Sequence, residues 1–292
     1  MQLIDKTVIE KKRPPRLLKN NIMKSIFLLC TLLGLIVLVV LIVDTLIDGY
    51  DKITLDFLTQ FNSSRAENAG FFGAIIGSLW LMLVTAPVAI ILSVGTALYL
   101  EEYAPKNRIT DFIKINISNL AGVPSVVFGL LGLAMFVRAL ALGNSVLAAG
   151  LTLALMILPV IVVSSQEAIR AVPSTVREAS IGMGATKWQT VSRIILPAAI
   201  PGIITGIILS ISRAIGETAP LVVIGVPTTL LVTPSSVFDT FQAMPMQIYS
   251  WVKMPQEEFQ YIAAAGIIIL LIVLLLMNSV AIFIRNKFSR RY

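Results

Sequence analysis

Two charged residues, Arg213 and Glu217, interrupt an otherwise apolar stretch of the chain. They are four residues apart, so on one helix both side chains would project from the same face and could pair. An arginine in the middle of a bilayer costs roughly 2.5 to 3.5 kcal/mol, so Arg213 is expected to face a polar pathway or a partner. A guanidinium presents a planar fork that suits phosphate-like oxyanions. We therefore predict that Arg213 meets an anion on a translocation path and that Glu217 orients it. The alternative is a structural ion pair that locks helices together.

The helix that must position this pair carries small residues at four-residue spacing. Gly202, Gly206 and Ser210 lie on one stripe that continues towards the charges. Such a stripe lets a neighbouring helix approach closely. We therefore predict that these three residues are helix-packing positions.

The composition indicates an integral membrane protein. Hydrophobic residues make up 57% of the 292 residues and charged residues only 13%, whereas a soluble chain carries roughly a quarter charged residues. The chain has no histidine, which excludes Ser-His and Cys-His catalysis and His-ligated metals. Its one cysteine, Cys30, cannot form an intrachain disulfide. We expect no catalytic residue, metal or cofactor, and we expect membrane lipid rather than nucleic acid around the chain.

Uncharged runs predict six membrane-spanning helices. They cover residues 25–43, 70–100, 115–137, 145–165, 198–224 and 261–284. Of the 23 basic residues, 18 fall in the arm, the loops and the tail on one side, 4 fall in the loops on the other side, and Arg213 lies in between. Cytoplasmic loops carry the excess of Lys and Arg, so we expect a multi-pass protein of the cell membrane with both termini in the cytoplasm.

The same pattern divides the chain into three parts. Residues 1–24 form a basic cytoplasmic arm, residues 25–69 form the first membrane helix with an external loop, and residues 70–292 form the core. Within the core, residues 166–197 form a polar and basic cytoplasmic segment between two membrane helices.

This segment carries a regular arrangement of residues. It contains Glu178-Ala179-Ser180, then Gly184, and then Ile194, Leu196 and Pro197. Thr175 with Glu178 and Thr186 with Gln189 both fit capping boxes, which predicts two short helices beginning at the threonines, and Gly184 permits a turn between them. The apolar side chains in the segment favour burial in a groove of a partner; the alternative is an ordinary amphipathic connector. These apolar residues are Val176, Ala179, Ile181, Met183 and Trp188.

The spacing is similar to the EAA signature, EAA-x3-G-x9-I-x-L-P, of the membrane subunits of ATP-binding-cassette (ABC) importers. The third residue of the triplet is Ser180 here, which keeps a small residue. Three further stretches narrow the resemblance: GVPSVVFGLLG at 122–132, RAIGETAPL at 213–221 and MPMQIYSW at 244–251. With these, residues 70–292 resemble the A-type permease subunits of high-affinity phosphate importers.

The resemblance implies an all-α integral membrane protein with six transmembrane helices in the type I ABC importer permease (MetI-like) fold. It implies a heterodimer with the C-type permease, two ABC ATPase subunits, and an extracytoplasmic phosphate-binding protein that hands over inorganic phosphate. The ATPase-coupling residues would be Glu178, Ala179, Ser180, Gly184, Ile194, Leu196 and Pro197, and Arg213 and Glu217 would line the substrate pathway.

Other functions fit the sequence less well. The chain lacks a GxxxxGK[ST] loop, so it cannot bind nucleotide by that route, and ATP hydrolysis is expected in a partner. A stand-alone secondary anion transporter would have no use for a capped cytoplasmic segment, and a structural scaffold would leave Arg213 unexplained. An importer for another tetrahedral oxyanion remains open.

Overall fold

The structure, a computed structural model, describes residues 6–288, and no β-strand occurs among them. Residues 1–5 of the arm, the tail residues Arg290 and Arg291, and the side chains of residues 6–16 lie outside what is described. The predicted all-α class is confirmed. The α-helices are α1 (Lys6–Gly49), α2 (Leu55–Thr59), α3 (Phe72–Leu98), α4 (Arg108–Leu120), α5 (Ser125–Gly132), α6 (Val146–Arg170), α7 (Ser174–Gly182), α8 (Lys187–Thr190), α9 (Leu196–Gly216), α10 (Ala219–Ile224), α11 (Met244–Val252) and α12 (Glu257–Phe288).

Within the described residues, five helical stretches are long and apolar enough to cross a membrane, and a bent pair of helices would make a sixth. The five stretches match five of the six predicted spans in position. They run over Leu17–Lys52, Phe72–Tyr103, Val146–Arg170, Lys187–Gly216 and Glu257–Lys287.

The third predicted span, residues 115–137, is wrong as one continuous helix. The chain instead forms α4 and then α5, which continues as a π-helix to Ala139, and the two helical segments meet at an angle of 104°. Pro124 lies at the junction with an extended ψ of 138°. A proline cannot donate to a helix and disfavours helical backbone at the residue before it, so the helix stops and a new one begins at Ser125.

The fifth predicted span, residues 198–224, also has different limits. Helical structure begins at Lys187 in α8, passes through a π-helical turn (Val191–Ile195) and continues as α9 to Gly216. Glu217 is extended, with ψ 123°, and α10 then begins with Pro220 in its first turn. Arg213 and Glu217 therefore do not share one helix, contrary to the prediction.

The core forms where α3, α6 and α9 pack together. Thr85 and Ser93 of α3 donate hydrogen bonds to backbone oxygens of α6, at 3.2 Å to Gly150 and 3.1 Å to Leu158. These bonds satisfy buried hydroxyls inside an apolar interface. They also hold α3 and α6 at a fixed distance along much of their length.

We use the name signature end for the end of the bundle that carries residues 166–197.

At the opposite end, the segment after α10 folds over the loop that precedes α3. The Trp251 indole is fully buried and donates to Asn62 Oδ1 at 3.0 Å, and Gln247 Nε2 donates to the Gly70 carbonyl at 2.8 Å. These long-range bonds place both segments on one side of the bundle. The predicted spans likewise place residues 44–69 and 225–260 on the same side of the membrane.

Candidate functional site

The coupling segment is the name used here for residues 166–197. Its first residues, to Arg170, still belong to α6, which is longer than the predicted span 145–165, and the short helix α7 follows. It begins at Ser174, and its N-cap is Pro173 without any side-chain cap. The predicted capping box of Thr175 and Glu178 is therefore wrong. The fixed φ of a proline already suits a helix start, and the N-cap lies two residues upstream of Thr175, at Pro173, so Thr175 lies inside the first turn.

The turn after α7 agrees with the prediction. Gly184 adopts a left-handed φ of +87°, which costs a residue with a Cβ roughly 1–2 kcal/mol. The amide of Ala185 donates to the Ser180 carbonyl at 3.2 Å and that of Gly184 to the Ile181 carbonyl at 2.9 Å, which is the Schellman pattern of helix termination. The capping box of Thr186 and Gln189 is confirmed, with both reciprocal bonds formed.

A buried hydroxyl pair joins the two short helices. Ser180 on α7 and Thr190 on α8 are each 2% exposed, and their hydroxyl oxygens lie 2.8 Å apart. This bond explains why a serine suits the third position of the signature triplet here, because an alanine could not make it. The bond and the Gly184 turn hold α7 and α8 as one unit.

Several apolar side chains of the unit point away from the chain. Met183 is 85% exposed, Trp188 68% and Ile181 57%, while Glu178 and Ala179 are exposed beside them. Large exposed apolar groups held on a rigid support are typical of an interaction surface. We define Ile181, Met183 and Trp188 as the apolar face of the coupling segment.

The remaining signature residues lie where the segment joins the bundle. Ile194 lines an apolar groove of about 390 Å³ together with Val172 and Val176. Leu196 and Pro197 begin α9 directly after the π-helical turn Val191–Ile195, so they lie within a continuous run of helix. Ile194, Leu196 and Pro197 are therefore partly buried at the base of the segment and do not belong to its exposed face.

The structure also shows an ion-pair cluster that sequence reasoning missed. Glu101 lies 2.9 Å from Lys114 of α4 and 2.7 Å from Arg170 of α6. Glu102 lies 3.0 Å from Arg177 of α7. The available signal was two adjacent carboxylates directly after an apolar helix, followed by basic loops, but the sequence does not give the partners.

Arg213 lies in the last turn of α9, and its side chain is 53% exposed. Its Nε is 3.9 Å from Glu217 Oε2, which is too long for a hydrogen bond. A cation in the last turn of a helix is stabilised by the unpaired carbonyls there. The guanidinium is thus held near Glu217 without being locked to it, and its donors are accessible from outside the chain.

The break at Glu217 is positioned by α5. A Cβ added to Gly129 would lie 2.9 Å from the Pro220 Cα, so the two backbones are in close contact at this point. One glycine therefore allows the 122–132 stretch to pack directly on the segment that follows Arg213. The two motifs are separate in sequence but form one structural unit.

The small residues of α9 face α6. A Cβ on Gly202 would lie 2.7 Å from the Ala168 Cβ, and a Cβ on Gly206 would overlap the Ser164 hydroxyl. Ser210 is 2% exposed on the same side.

Within residues 6–288 no group of three or more His, Cys, Asp or Glu side chains is placed to hold a metal ion.

Comparison with known proteins identifies the family of the chain. A profile of the family described as "Binding-protein-dependent transport system inner membrane component" matches residues 89–292. The phosphate transport system permease protein PstA of Mycobacterium leprae is 37% identical over 249 residues, which cover 82% of this chain and 80% of the relative. PstA of Yersinia pestis is 30% identical over 293 residues, covering 97% of each.

Two solved structures share the fold. A permease chain of a bacterial alginate ABC transporter superposes with a TM-score of 0.63 at 17% identity, covering 92% of this chain and 96% of that one. A chain of the inward-facing MetNI methionine ABC transporter gives 0.60 at 16% identity, covering 75% and 95%. These confirm the importer-permease fold. From the profile match and the similarity to full-length relatives, the chain is a multi-pass inner-membrane protein that belongs to the family of binding-protein-dependent transport system inner membrane components.

Proposed function

We propose that this chain is a permease subunit of an ATP-driven phosphate importer and forms half of its translocation pathway. Relatives that are phosphate transport system permeases match 82% to 97% of the chain, which supports phosphate as the substrate. The observation that carries the transport mechanism is the rigid coupling segment with its exposed apolar face. A self-contained transporter has no partner to contact such a face.

The apolar face is the surface that an ATPase subunit would cover. Met183 and Trp188 would enter a groove on that partner, with Glu178 at the edge of the contact. Burying aromatic and Met side chains is a common source of affinity at interfaces. A second permease of the C type would complete the pathway, and two ATPases would bind the paired coupling segments. An extracytoplasmic phosphate-binding protein would dock at the opposite end.

This assembly fixes the orientation of the chain. The ATPases need cytoplasmic ATP, so the signature end faces the cytoplasm. Both termini then lie in the cytoplasm as well, which agrees with the excess of Lys and Arg in the segments on that side. The loop before α3 and the segment around Trp251 face outward.

Arg213 would contact phosphate during its passage. Its guanidinium is more than half exposed and has only a long contact with Glu217, so an oxyanion can replace that contact with two parallel N–H···O bonds. Glu217 would then weaken retention by repelling the anion, which favours release over trapping. The chain itself would hydrolyse no ATP, since the energy would come from the partner ATPases.

The test is uptake of labelled phosphate by vesicles that contain the complete assembly. Losing a hydrogen bond to a charged group costs about 1.5–3 kcal/mol, so Arg213→Ala should lower uptake at limiting phosphate by roughly 10- to 150-fold. Arg138→Ala, which removes an exposed arginine elsewhere, is the matched control and should transport normally. Full-rate uptake by an intact Arg213→Ala assembly would leave this residue only a structural role.

Selectivity is tested in the same vesicles. If the substrate is phosphate, arsenate should compete because it has the same tetrahedral shape and charge, whereas a dianion that carries no proton, such as sulfate, should compete poorly. The wild-type assembly importing another oxyanion but no phosphate would favour the alternative substrate.

A further inference from the structure

The end of α3 is built as a wide turn. After Leu98 the helix continues as a π-helical turn, Tyr99–Tyr103, closed by a bond from the Ala104 amide to the Tyr99 carbonyl at 2.8 Å. π-helical turns insert one extra residue into a helix and occur frequently at functional sites. We refer to Glu101, Glu102 and Tyr103 as the Glu-Glu-Tyr turn.

Each residue of the Glu-Glu-Tyr turn contacts a different part of the signature end. Glu101, with a side chain 10% exposed, joins α4 and α6 through Lys114 and Arg170. Glu102, 9% exposed, pairs with Arg177 on α7. Tyr103 lies under the Lys187 ammonium, which is 5.1 Å from the ring centroid, at the start of α8. Glu101 therefore braces the bundle, while Glu102 and Tyr103 connect α3 to the coupling segment.

The contact between Glu102 and Arg177 is close but poorly aligned. The Arg177 Nη2 atom is 3.0 Å from Glu102 Oε1, yet the geometry does not make a hydrogen bond. Within the described residues, both Glu102 Oε1 and Arg177 Nε are buried without any hydrogen-bond partner. Meanwhile Arg177 Nη2 donates to the Ile169 carbonyl at the end of α6, at 2.8 Å.

The Glu102 carboxylate and the Arg177 Nε–H could form a hydrogen bond that is absent in this arrangement. Buried charged groups that lack aligned partners are costly, and a charge-assisted bond between them would be strong. A small rotation of α7 that directs Nε towards the carboxylate would form that bond. The alignment of the pair therefore depends on the position of α7, so a movement of α7 would change the strength of the contact.

We propose that Glu102 is a positioning residue that transmits displacement of α7 to α3, by forming an aligned bond with Arg177 when the coupling segment moves. This inference rests on the proposed function, in which an ATPase moves α7. Because α3 is hydrogen-bonded to α6 in the core, a shift of its end is passed to the helices of the pathway. Glu101 stays paired and acts as the fixed point of the movement.

The test uses the complete assembly in vesicles, with Glu102→Gln as the main variant. The Gln side chain keeps the size but loses the charge that attracts Arg177. Without this contact, movement of α7 should no longer reach α3, so we expect ATP hydrolysed per phosphate imported to rise several-fold, while the amount of copurified ATPase stays unchanged. Asp111→Asn, which alters an exposed carboxylate on α4, should leave this ratio as in the wild type.

A second measurement needs no phosphate. ATP binding should change amide hydrogen exchange in residues 99–103 of the wild-type assembly, and Glu102→Gln should abolish that change. The double variant Glu102→Arg/Arg177→Glu, in which the two charges are exchanged, should show most of the wild-type change in exchange, because the charges still attract. A merely structural role would instead appear as loss of ATPase binding or of thermal stability in Glu102→Gln.

The results separate the two proposals. The role of Glu102 would be overturned if Glu102→Gln hydrolysed as much ATP per imported phosphate as the wild type and showed the wild-type change in amide hydrogen exchange. It would also be overturned if loss of bound ATPase accounted for the whole transport defect of Glu102→Gln. Failure of the wild-type assembly to import phosphate would count against the proposed substrate, while the exchange response would still decide the role of Glu102.

Discussion

Replacing Ser180 by the alanine of the EAA signature should destabilise this particular coupling segment. Ser180 and Thr190 are both 2% exposed and bonded to each other at 2.8 Å, and no other hydrogen bond of either hydroxyl occurs in the described part of the chain. Ser180→Ala therefore leaves the Thr190 hydroxyl buried and unpaired. Replacing both partners, in Ser180→Ala/Thr190→Val, removes the unpaired group while keeping the shape at position 190.

The expected magnitudes differ clearly. A buried unpaired hydroxyl costs about 1–3 kcal/mol, whereas apolar replacement of both partners is nearly neutral. Since each 1.4 kcal/mol is tenfold in an equilibrium, Ser180→Ala should increase local opening of α7 and α8 by roughly 5- to 150-fold. The double variant should return to within a few fold of the wild type.

Amide hydrogen exchange across residues 174–190 of the detergent-solubilised assembly measures this opening directly. Ser192→Ala is the control, because it removes a hydroxyl that bonds only the Trp188 carbonyl of its own helical turn, and it should change exchange by no more than about two-fold. The reasoning fails if Ser180→Ala exchanges as slowly as the wild type, or if the double variant exchanges as fast as the single one.

Two further predictions concern glycines. Gly184→Ala should reduce the amount of copurified ATPase, because a Cβ at a φ of +87° destabilises the turn by about 1–2 kcal/mol. Gly182 also lies in open space but has an ordinary φ, so Gly182→Ala should copurify as much ATPase as the wild type. Equal copurification by the two variants would refute this prediction. Gly206→Ala should lower the thermal stability of the purified assembly by about 1–3 kcal/mol through overpacking on Ser164, with rescue by Ser164→Gly. Gly95→Ala, which meets nothing within 4 Å, should be neutral, and an equal loss there would contradict the packing argument.

The features predicted correctly from sequence are those set by local backbone requirements. The Gly184 turn and the Thr186 capping box depend on residues within a few positions of each other, so the printed order of residues contains the necessary information. The long apolar helices follow from composition over about twenty residues. Both kinds of signal can be read from the sequence without knowing which distant residues are in contact.

The two errors in helix limits have a common cause. A window of high mean hydropathy cannot distinguish one helix from two, and at 122–124 and 216–220 a glycine and a proline break the helix inside such a window. One glycine and one proline change the mean hydropathy of the window very little. At Thr175 the cause is different, because Pro173 offered an earlier start than the capping pattern did.

The ion pairs of the signature end could not be predicted, and the reason bears on how the segment works. Glu102 and Arg177 are 75 positions apart, and nothing local to either residue identifies the other. The signature residues shape the coupling segment itself, through Gly184 and the Ser180 bond. Its ion pair with the bundle is made to Glu102 at the end of α3, which lies before the segment in the chain. In the proposed function, movement of the pathway by the coupling segment would therefore depend on the pairing between the two regions, which the signature alone does not contain.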